Sequence, residues 1–514
     1  MVVATYKLQV DWWNSGTWAS ALFPISLPVT WADGTGLIVA NDRIRAITCS
    51  FGRDRASQLT GNSKAGRLRV VLDNRSGDYN VFNTSSSLYG YILPGRPVRL
   101  LGTSATQTDQ PIWEGYLTRI TPQVFLGGDA TAILLDQIEV PMVTAQRTDQ
   151  VVDDILDAAG WGSGSTYRTL DVGKTTITRY WKDGTFTVPA LLEVESTEGG
   201  FIREGKDGKI IFDNRHHRLS GAALTSQATY SDAAGAARVY SGIIQDDPLP
   251  GIFNIFSTEI QTYTTASVAV LWTLSESGAN SPAISPSVAL TYIARYPTRG
   301  SANNAVGVNT WTTVASTTDM VANAAADGSG TNMTSDVGIS VSKSSETMEI
   351  TLTNNGSVPA YITKLQARGT GITADDPATI KVEDTTSQTD FGKRTWPSKT
   401  PWIPTTLEAL DWADYNIGIF KDPTAVLKLS YWANRDTNSL NEMLDRDISE
   451  RVTVVAENNA DLSVDQDFFI EAVSHQISAN RLHKVTYLLS DAAEFSDSWV
   501  LNTSALGTST RLAY

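Results

Sequence analysis

The stretch Arg53–Leu100, RDRASQLTGNSKAGRLRVVLDNRSGDYNVFNTSSSLYGYILPGRPVRL, decides the fold class. Its centre, Leu68-Arg69-Val70-Val71-Leu72, is short, apolar and β-branched, and it stops at Asp73-Asn74-Arg75-Ser76-Gly77. Asn and Gly accept the positive φ of tight turns, so a strand feeding a turn is expected. Asn83–Ser87 reads as a polar loop, Pro94-Gly95 as a second turn, and Pro97–Leu100 as the start of the next strand. The stretch holds no nucleophile beside a base and no metal-ligand spacing. It builds a β-barrel or sandwich.

The whole chain agrees with a β-rich protein of several domains. Its 514 residues suffice for separate cores. Hydrophobic residues make up 41% and charged residues 18%, the balance of an ordered globular protein. The 14 Trp, with frequent Ser, Thr, Gly and turn signals, lean toward β structure. Cys49 is the single cysteine and lies in the strand pattern Ile47–Phe51, so a buried inert thiol and no internal disulfide are expected. The opening MVVATYKLQVDWW lacks the pattern of a signal peptide. No apolar run approaches the roughly 20 residues of a membrane span. A net charge of −15 argues against nucleic acid as a ligand. The charge is uneven: residues 1–120 carry 12 Lys+Arg against 8 Asp+Glu, and the remainder 28 against 47.

In chain order, Tyr6–Trp13, Ile112–Ile120 and Ala132–Val140 read as strands, with Trp12, Trp13, Trp18 and Trp31 filling a core or an interface. A helix follows, with Thr148 as its cap and Val151, Val152, Ile155, Leu156 and Ala159 on one face up to Gly160. A second helix begins near Pro189, and a hairpin joins Phe201–Glu204 to Lys209–Phe212 through Asp207-Gly208. From about Thr262 to Arg368 the chain is poor in charge and carries short alternating strands, the pattern of a β-sandwich. Beyond Lys381 it becomes α+β. Thr406 caps a helix with Leu407, Leu410, Ala413, Ile417 and Phe420 on one face, and strands follow at Val426–Tyr431, Arg451–Val455, Phe468–Val473 and His483–Leu489.

Candidate chemical sites are few. Asp11, Asn14 and Gly16 lack the further carboxylates of a calcium loop. Glu193, Glu195 and Glu198 would have to face one another across a cleft to act as a glycosidase pair, and their spacing reads instead as a solvated helix face. His216 and His217 are adjacent and read as strand-end polar residues, while His475 and His483 flank a hairpin as isolated residues. Trp272, Tyr292, Tyr296 and Trp311 offer a glycan-stacking platform or, more simply, core packing. No catalytic, cofactor or metal residue is assigned.

The phrases GRDRASQLTG, LDNRSG and PGRPVRL closely resemble the N-terminal domain of phage tail hub (baseplate or tail-tip) proteins. STEGGFIREGKDGKIIFDNRHHRL resembles the second, α+β domain of that family, and DFFIEAVSHQI and HKVTYLLSD resemble its second barrel. The tail SWVLNTSALGTSTRLAY is similar to the family's C-terminal end in some siphophages and prophages. The resemblance implies a mainly β, multidomain chain. Its parts are a first hub β-barrel at 1–145, an α+β domain at 146–245 and a second barrel with additional helices at 246–261 and 371–490. A β-sandwich is inserted at 262–370, and a tail occupies 491–514.

It further implies a non-enzymatic virion protein, a homotrimeric tail-tip hub made in the host cytoplasm without a signal peptide. Such a ring adapts the hexameric tail tube to a threefold tip, contacts a distal tail or tail tube protein, and anchors a tail fibre or receptor-binding protein. DNA passes through its channel without specific binding, and no cofactor is expected. Because a channel that passes DNA should not hold it, Arg53, Arg55, Arg67, Arg69, Arg75, Arg96 and Arg99 are expected at subunit interfaces and not in the bore. Two other readings are an adhesin binding host-surface glycan through the sandwich and a cell-wall hydrolase.

Overall fold

The structure, a computed structural model, describes residues 5–12, 44–53, 63–121, 125–129, 137–246, 251–297, 304–399, 402–423, 426–458, 464–478, 482–495, 498–499 and 511–512. Arg55, Trp13, Trp18, Trp31 and the expected turn Asn14–Gly16 fall outside them. The chain is mainly β and multidomain.

The first six strands are β1 (Thr5–Val10), β2 (Ile44–Arg53), β3 (Ser63–Leu72), β4 (Pro97–Thr103), β5 (Gln110–Thr121) and β6 (Phe125–Asp129). They pair in the order β1-β4-β5-β6-β3-β2, all antiparallel. In β3 the alternation is clean, with Leu68, Val70 and Leu72 buried and Arg67 and Arg69 outside. The turn after it forms as expected: the Gly77 N–H donates to the Asn74 carbonyl at 2.7 Å, and Gly77 has a φ of 74°. Beyond this point the chain is more regular than a polar loop. Backbone N–H groups of Asn80, Asn83, Ser86 and Tyr89 each donate to the carbonyl three residues earlier, making a ladder of turns with Asn or Ser at most steps. Tyr79, Leu88 and Ile92 pin this ladder to the core, while Phe82, Tyr89, Tyr91 and Leu93 stay outside.

The next unit comprises β7 (Gln137–Arg147), α1 (Thr148–Ala158), β8 (Arg168–Leu170), β9 (Thr176–Phe186), α2 (Thr187–Glu198), β10 (Phe201–Glu204) and β11 (Ile210–Asp213). α1 buries Val151, Val152, Ile155 and Leu156, as their spacing requires. Thr148 is its first helical residue and Arg147 the cap; Pro189 is the third residue of α2, not the first. Gly199, in left-handed conformation, ends α2, and the β10–β11 hairpin follows.

Two short strands, β12 (Ala228–Ser231) and β13 (Gly242–Asp246), precede β14 (Ile255–Ile260). The sandwich then contains β15 (Tyr263–Thr273), β16 (Ala283–Ile284), β17 (Ala289–Arg295), β18 (Ala305–Trp311), β19 (Met320–Asn323), β20 (Val337–Lys343), β21 (Thr347–Asn354) and β22 (Ala360–Ala374). β22 organises one sheet with β15, β16, β18 and β19, and β17-β21-β20 form the other. Trp311 is in the core between them, with Trp272, Tyr292 and Tyr296 packed against it, so these aromatics fill the sandwich. At the neck, Tyr263 pairs with Ala374, and Asp375 accepts hydrogen bonds from the Thr262 and Thr264 hydroxyls at 3.0 and 2.9 Å.

After the sandwich come β23 (Ala378–Glu383), α3 (Thr385–Phe391), β24 (Thr395–Lys399) and α4 (Thr406–Phe420). β14 pairs with β23 and β24, and α4 covers that small sheet through Trp412, Ala413 and Phe420. The segment at 255–260 thus pairs with two strands of the 371–490 region that was expected to accompany it. The face of α4 differs from the expected one: Leu407 and Leu410 are 68% and 38% exposed. Trp412, the larger apolar group, takes the core position and turns the two leucines outward. Its cap is Thr405, one residue early, whose hydroxyl accepts from the Glu408 N–H at 3.2 Å.

A second set of strands contains β25 (Val426–Trp432), β26 (Arg451–Val455), β27 (Asp465–Ile477) and β28 (His483–Asp491), with α5 (Thr437–Asp445) between β25 and β26. They pair in the order β27-β28-β25-β13, and β26 carries β12 beside β27. This second set thus takes its extra strands from 228–246. β2 pairs with β27 from Ile47 opposite Ile477 to Gly52 opposite Ala472, fusing both sets into one twelve-stranded sheet. A single core runs beneath them, from Leu8, Ile47, Val70 and Leu100 to Leu427, Phe468 and Val485.

Candidate functional site

The most elaborate constellation lies where the two sets meet. One edge of β27 changes partner at Glu471: Phe469 is the last residue opposite β26, and Ala472 the first opposite β2. Gly52 makes the crossing possible. Its φ is 112°, and a Cβ there would lie 2.5 Å from the Glu471 carbonyl. Into this gap reaches Arg218, whose Nη1 donates to Glu471 Oε1 at 2.7 Å. Ser490 donates its hydroxyl to the same oxygen at 2.7 Å. The Arg218 guanidinium lies between two rings, 4.5 Å from the centre of Phe201 and 4.7 Å from that of Phe469. Arg53 sits 4.0 Å from the centre of Phe201 and approaches Glu195 at 3.7 Å.

This seam holds three units together, because Glu195 is on α2, Arg53 on β2 and Glu471 on β27. Glu195 also accepts from the Ile202 N–H at 2.7 Å and the Ser63 hydroxyl at 3.3 Å. Burial lifts the Glu195 carboxyl above its ordinary range, although Arg53 and these donors oppose it. Burial acts upward on Glu471 too, but there the charge and hydrogen bond of Arg218 bring it below the ordinary range. Around the seam, the Gly66 N–H donates to Glu204 at 2.7 Å, and Arg203 bridges Asp213 and Asp447 at 2.9 and 3.1 Å.

The glutamates of α2 are not a solvated face. Glu195 is 6% and Glu198 0% exposed. Glu198 accepts from the Thr148 hydroxyl at 2.7 Å and from the Thr175 and Lys174 N–H groups at 3.0 and 3.1 Å, so it ties α1, α2 and the β9 approach together. Glu193 accepts from Lys182 at 2.5 Å and from the Trp402 indole at 3.1 Å. Each carboxylate serves a different structural contact, and the three do not face one cleft. Nearby, a cavity of about 230 Å³ at the sandwich neck is lined by Tyr263, Trp402, Ile403 and Pro404, with Arg179 as the charged group among its lining residues.

The histidines are less isolated than their spacing implied. The fold brings Asp171 and Asp213 beside His217, whose Nδ1 lies 2.8 Å from one and 3.5 Å from the other. These donor atoms lie within 4.8 Å of one another, a grouping able to hold a cation. Arg203 already supplies a positive charge to Asp213, and the hydrogen bond to Asp171 raises the pKa of His217, so the group reads as an internal ion network. His475 and His483 are also joined: the Tyr6 hydroxyl lies 2.7 Å from His483 Nδ1, and His483 Nε2 lies 3.0 Å from His475 Nδ1, each within hydrogen-bond distance. Burial pulls His475 down to about 3 and His483 well below its ordinary value, so both are neutral near pH 7. The relay ties β1 to β28, a second link between the two sets.

The arginines expected at interfaces are dispersed. Arg53 is buried in the seam and engaged within the chain. Arg67 and Arg69 line the outer face of β3. Arg75 pairs with Asp73 at 2.6 Å while remaining 86% exposed. Arg96 donates to the Tyr91 carbonyl at 3.2 Å, and Arg99 to the Gln9 side chain at 2.6 Å. Sequence reasoning missed Glu471 and Arg218. The available signal was a lone carboxylate inside the apolar run Phe468-Phe469-Ile470-Glu471-Ala472-Val473.

No family model matches the sequence, and no curated protein matches it. Among solved structures the chain is similar to the 43 kDa tail protein of prophage MuSo2 from Shewanella oneidensis, at 9% identity and a TM-score of 0.46, covering 95% of this chain and 99% of that one. It is also similar to a tail protein from Neisseria meningitidis, at 8% identity and a TM-score of 0.47, covering 95% and 96%. A prophage tail protein from Listeria monocytogenes is similar at 7% identity and a TM-score of 0.40, covering 94% of each chain.

Proposed function

We propose that this chain is a structural component of a phage or prophage tail, the hub of the tail tip. The observation that carries this reading is the edge-to-edge fusion of two β sets through β2 and β27, the two-barrel plan that the hub-like sequence phrases imply. A hub has to transmit force without hinging between its barrels, and a shared core with a buried ionic seam serves that end.

In this reading three copies form a ring whose six β sets match a sixfold tube above and a threefold tip below. The ring continues the DNA channel, contacts a distal tail or tail tube protein, and anchors a fibre or receptor-binding protein. Arg67, Arg69, Arg75, Arg96 and Arg99 face neighbouring subunits or the tube and leave the bore without clustered cations. The chain acts without catalysis, and the sandwich projects from the ring. Light scattering on the purified chain, with and without its tube partner, tests this: a trimer or a three-copy ring is expected. A chain that stays monomeric in both states refutes it.

A further inference from the structure

The sandwich is tied to the rest of the chain at its neck, where Tyr263 pairs with Ala374, and it also rests on the β7–β9 hairpin. At this second contact the Ser344 hydroxyl lies 3.2 Å from an Asp183 oxygen, and the Ser345 hydroxyl donates to the Lys182 carbonyl at 3.4 Å. Gly307 of β18 comes so near that a Cβ on it would sit 3.3 Å from the Trp181 indole nitrogen. The contact is thus a joint between two units of the chain, made largely by polar groups.

Its charges do not cancel. Glu139 and Asp183 come from the hairpin, Glu346 and Glu349 from the sandwich; Asp183 acts on both Glu139 and Glu346, and Glu349 acts on Glu139. Among the described residues the cations facing these carboxylates are Lys182 and Arg295. Lys182 is already engaged by Glu193 at 2.5 Å, and the half-exposed Arg295 reaches Glu346 only at 3.8 Å. Trp181 adds a hydrogen bond to Glu346. The neck, meanwhile, is two strands wide, with a bulge in β15 between Thr265 and Val268. Gln261, Thr262 and Tyr263 border the cavity of about 230 Å³, so the packing beside this tether has room to shift.

We propose that the sandwich is a hinged arm: acid closes its joint onto the β7–β9 hairpin, and rising pH frees it to swing about the two-stranded neck. Burial, then the charge of Asp183, lifts the Glu346 carboxyl above its ordinary range; burial, then Asp183 and Glu349, does the same for Glu139. Opening takes Asp183 away from Glu346 and Glu349 away from Glu139, so each carboxyl holds its proton more tightly with the arm closed. That contribution to closing is complete below the ordinary glutamate value near ~4.3 and is lost as pH rises through the raised, closed-state values. The joint lies within one chain and operates whatever the assembly.

The test is the distance between nitroxide labels on the full chain carrying Val172→Cys and Val358→Cys, measured by pulsed electron spin resonance at pH 5 and pH 8. Both positions are exposed, Val172 on the α+β unit and Val358 beside Asn354, at the end of β21 away from the joint. The native Cys49 is buried and its thiol is held well above its ordinary pKa, so it stays unlabelled. One closed distance should dominate at pH 5, and the ratio of open to closed arms should rise by about tenfold or more at pH 8. Glu139→Gln with Glu346→Gln should keep the arm closed at both pH values. Labels at Val268 and Val358, both within the sandwich, should hold one distance throughout. A parent chain with the same distances at both pH values overturns the hinge, and opening that the Gln variants leave unchanged overturns the carboxylate joint. A pH effect that also moves the Val268–Val358 distance is loss of the sandwich fold and overturns both.

Discussion

Breaking the Arg218–Glu471 pair should be the most damaging single change at the junction. Their side chains are 1% and 0% exposed, and the 2.7 Å contact sits where β27 changes partner. Glu471→Gln keeps the shape and the Ser490 donor but strands the Arg218 charge between Phe201 and Phe469. Removing one partner of a buried pair typically costs about 3–5 kcal/mol. At about 2–4 °C per kcal/mol for a domain of some 200 residues, the main thermal transition should fall by roughly 10 °C. Arg218→Met with Glu471→Leu removes both charges and should lose only about 2 kcal/mol or less, far from the sum of the singles. The pH sign follows from the depressed Glu471 carboxyl: its stabilisation is present above the unfolded value near ~4.3 and is lost as pH falls through the folded one. The assay is chemical denaturation of the four chains in a double-mutant cycle. A Glu471→Gln chain within about 1 kcal/mol of the parent, or additive losses in the double variant, would show that the seam does not hold the sets together.

Glu198→Gln should destabilise the α+β unit by about 1.5–3 kcal/mol, since it weakens the bonds from Thr148, Lys174 and Thr175; limited proteolysis in the connection between β8 and β9 would report it, and an unchanged cleavage rate would contradict it. Acidification should weaken the fold through His475, which is neutral when buried with a pKa near about 3. Its contribution is complete above the unfolded value near ~6.5 and declines below it, by about 2 kcal/mol at pH 5, so His475→Gln should flatten the stability profile between pH 7.5 and 5. Excising 264–373 and joining Tyr263 to Ala374, which already pair at the neck, should leave the remaining chain with a cooperative transition; a broad melt would mean that the sandwich is integral to the rest.

The strand alternation of Leu68, Val70 and Leu72, the turn at Gly77 and the hairpin around Gly208 were legible because each is local and of fixed period. Long-range placements were not. Nothing near Ile47–Gly52 specifies Val473–Ile477 as its partner, and the four-residue strand at Ala228–Ser231 is too short to signal itself. On α2, the spacing of Glu193 and Glu195 correctly excludes a shared face, yet the helix pattern says nothing about Arg53 arriving from β2 at Glu195 or Thr148 from α1 at Glu198. The outward leucines of α4 were misplaced because periodicity ranks apolar residues equally, while packing gives the core to the tryptophan at 412. His475 and His483 are joined by strand register, with Ile477 opposite His483, a relation no spacing rule reveals.

The account turns on the chain forming a threefold ring at the end of a tail. The direct measurement is electron microscopy of particles in which this chain carries a label at its exposed sandwich. Three labels spaced evenly around the axis at the tail tip, with the β sets enclosing the bore, are the predicted result. Label on the head, along the tail shaft, or as a single copy at the tip would contradict it.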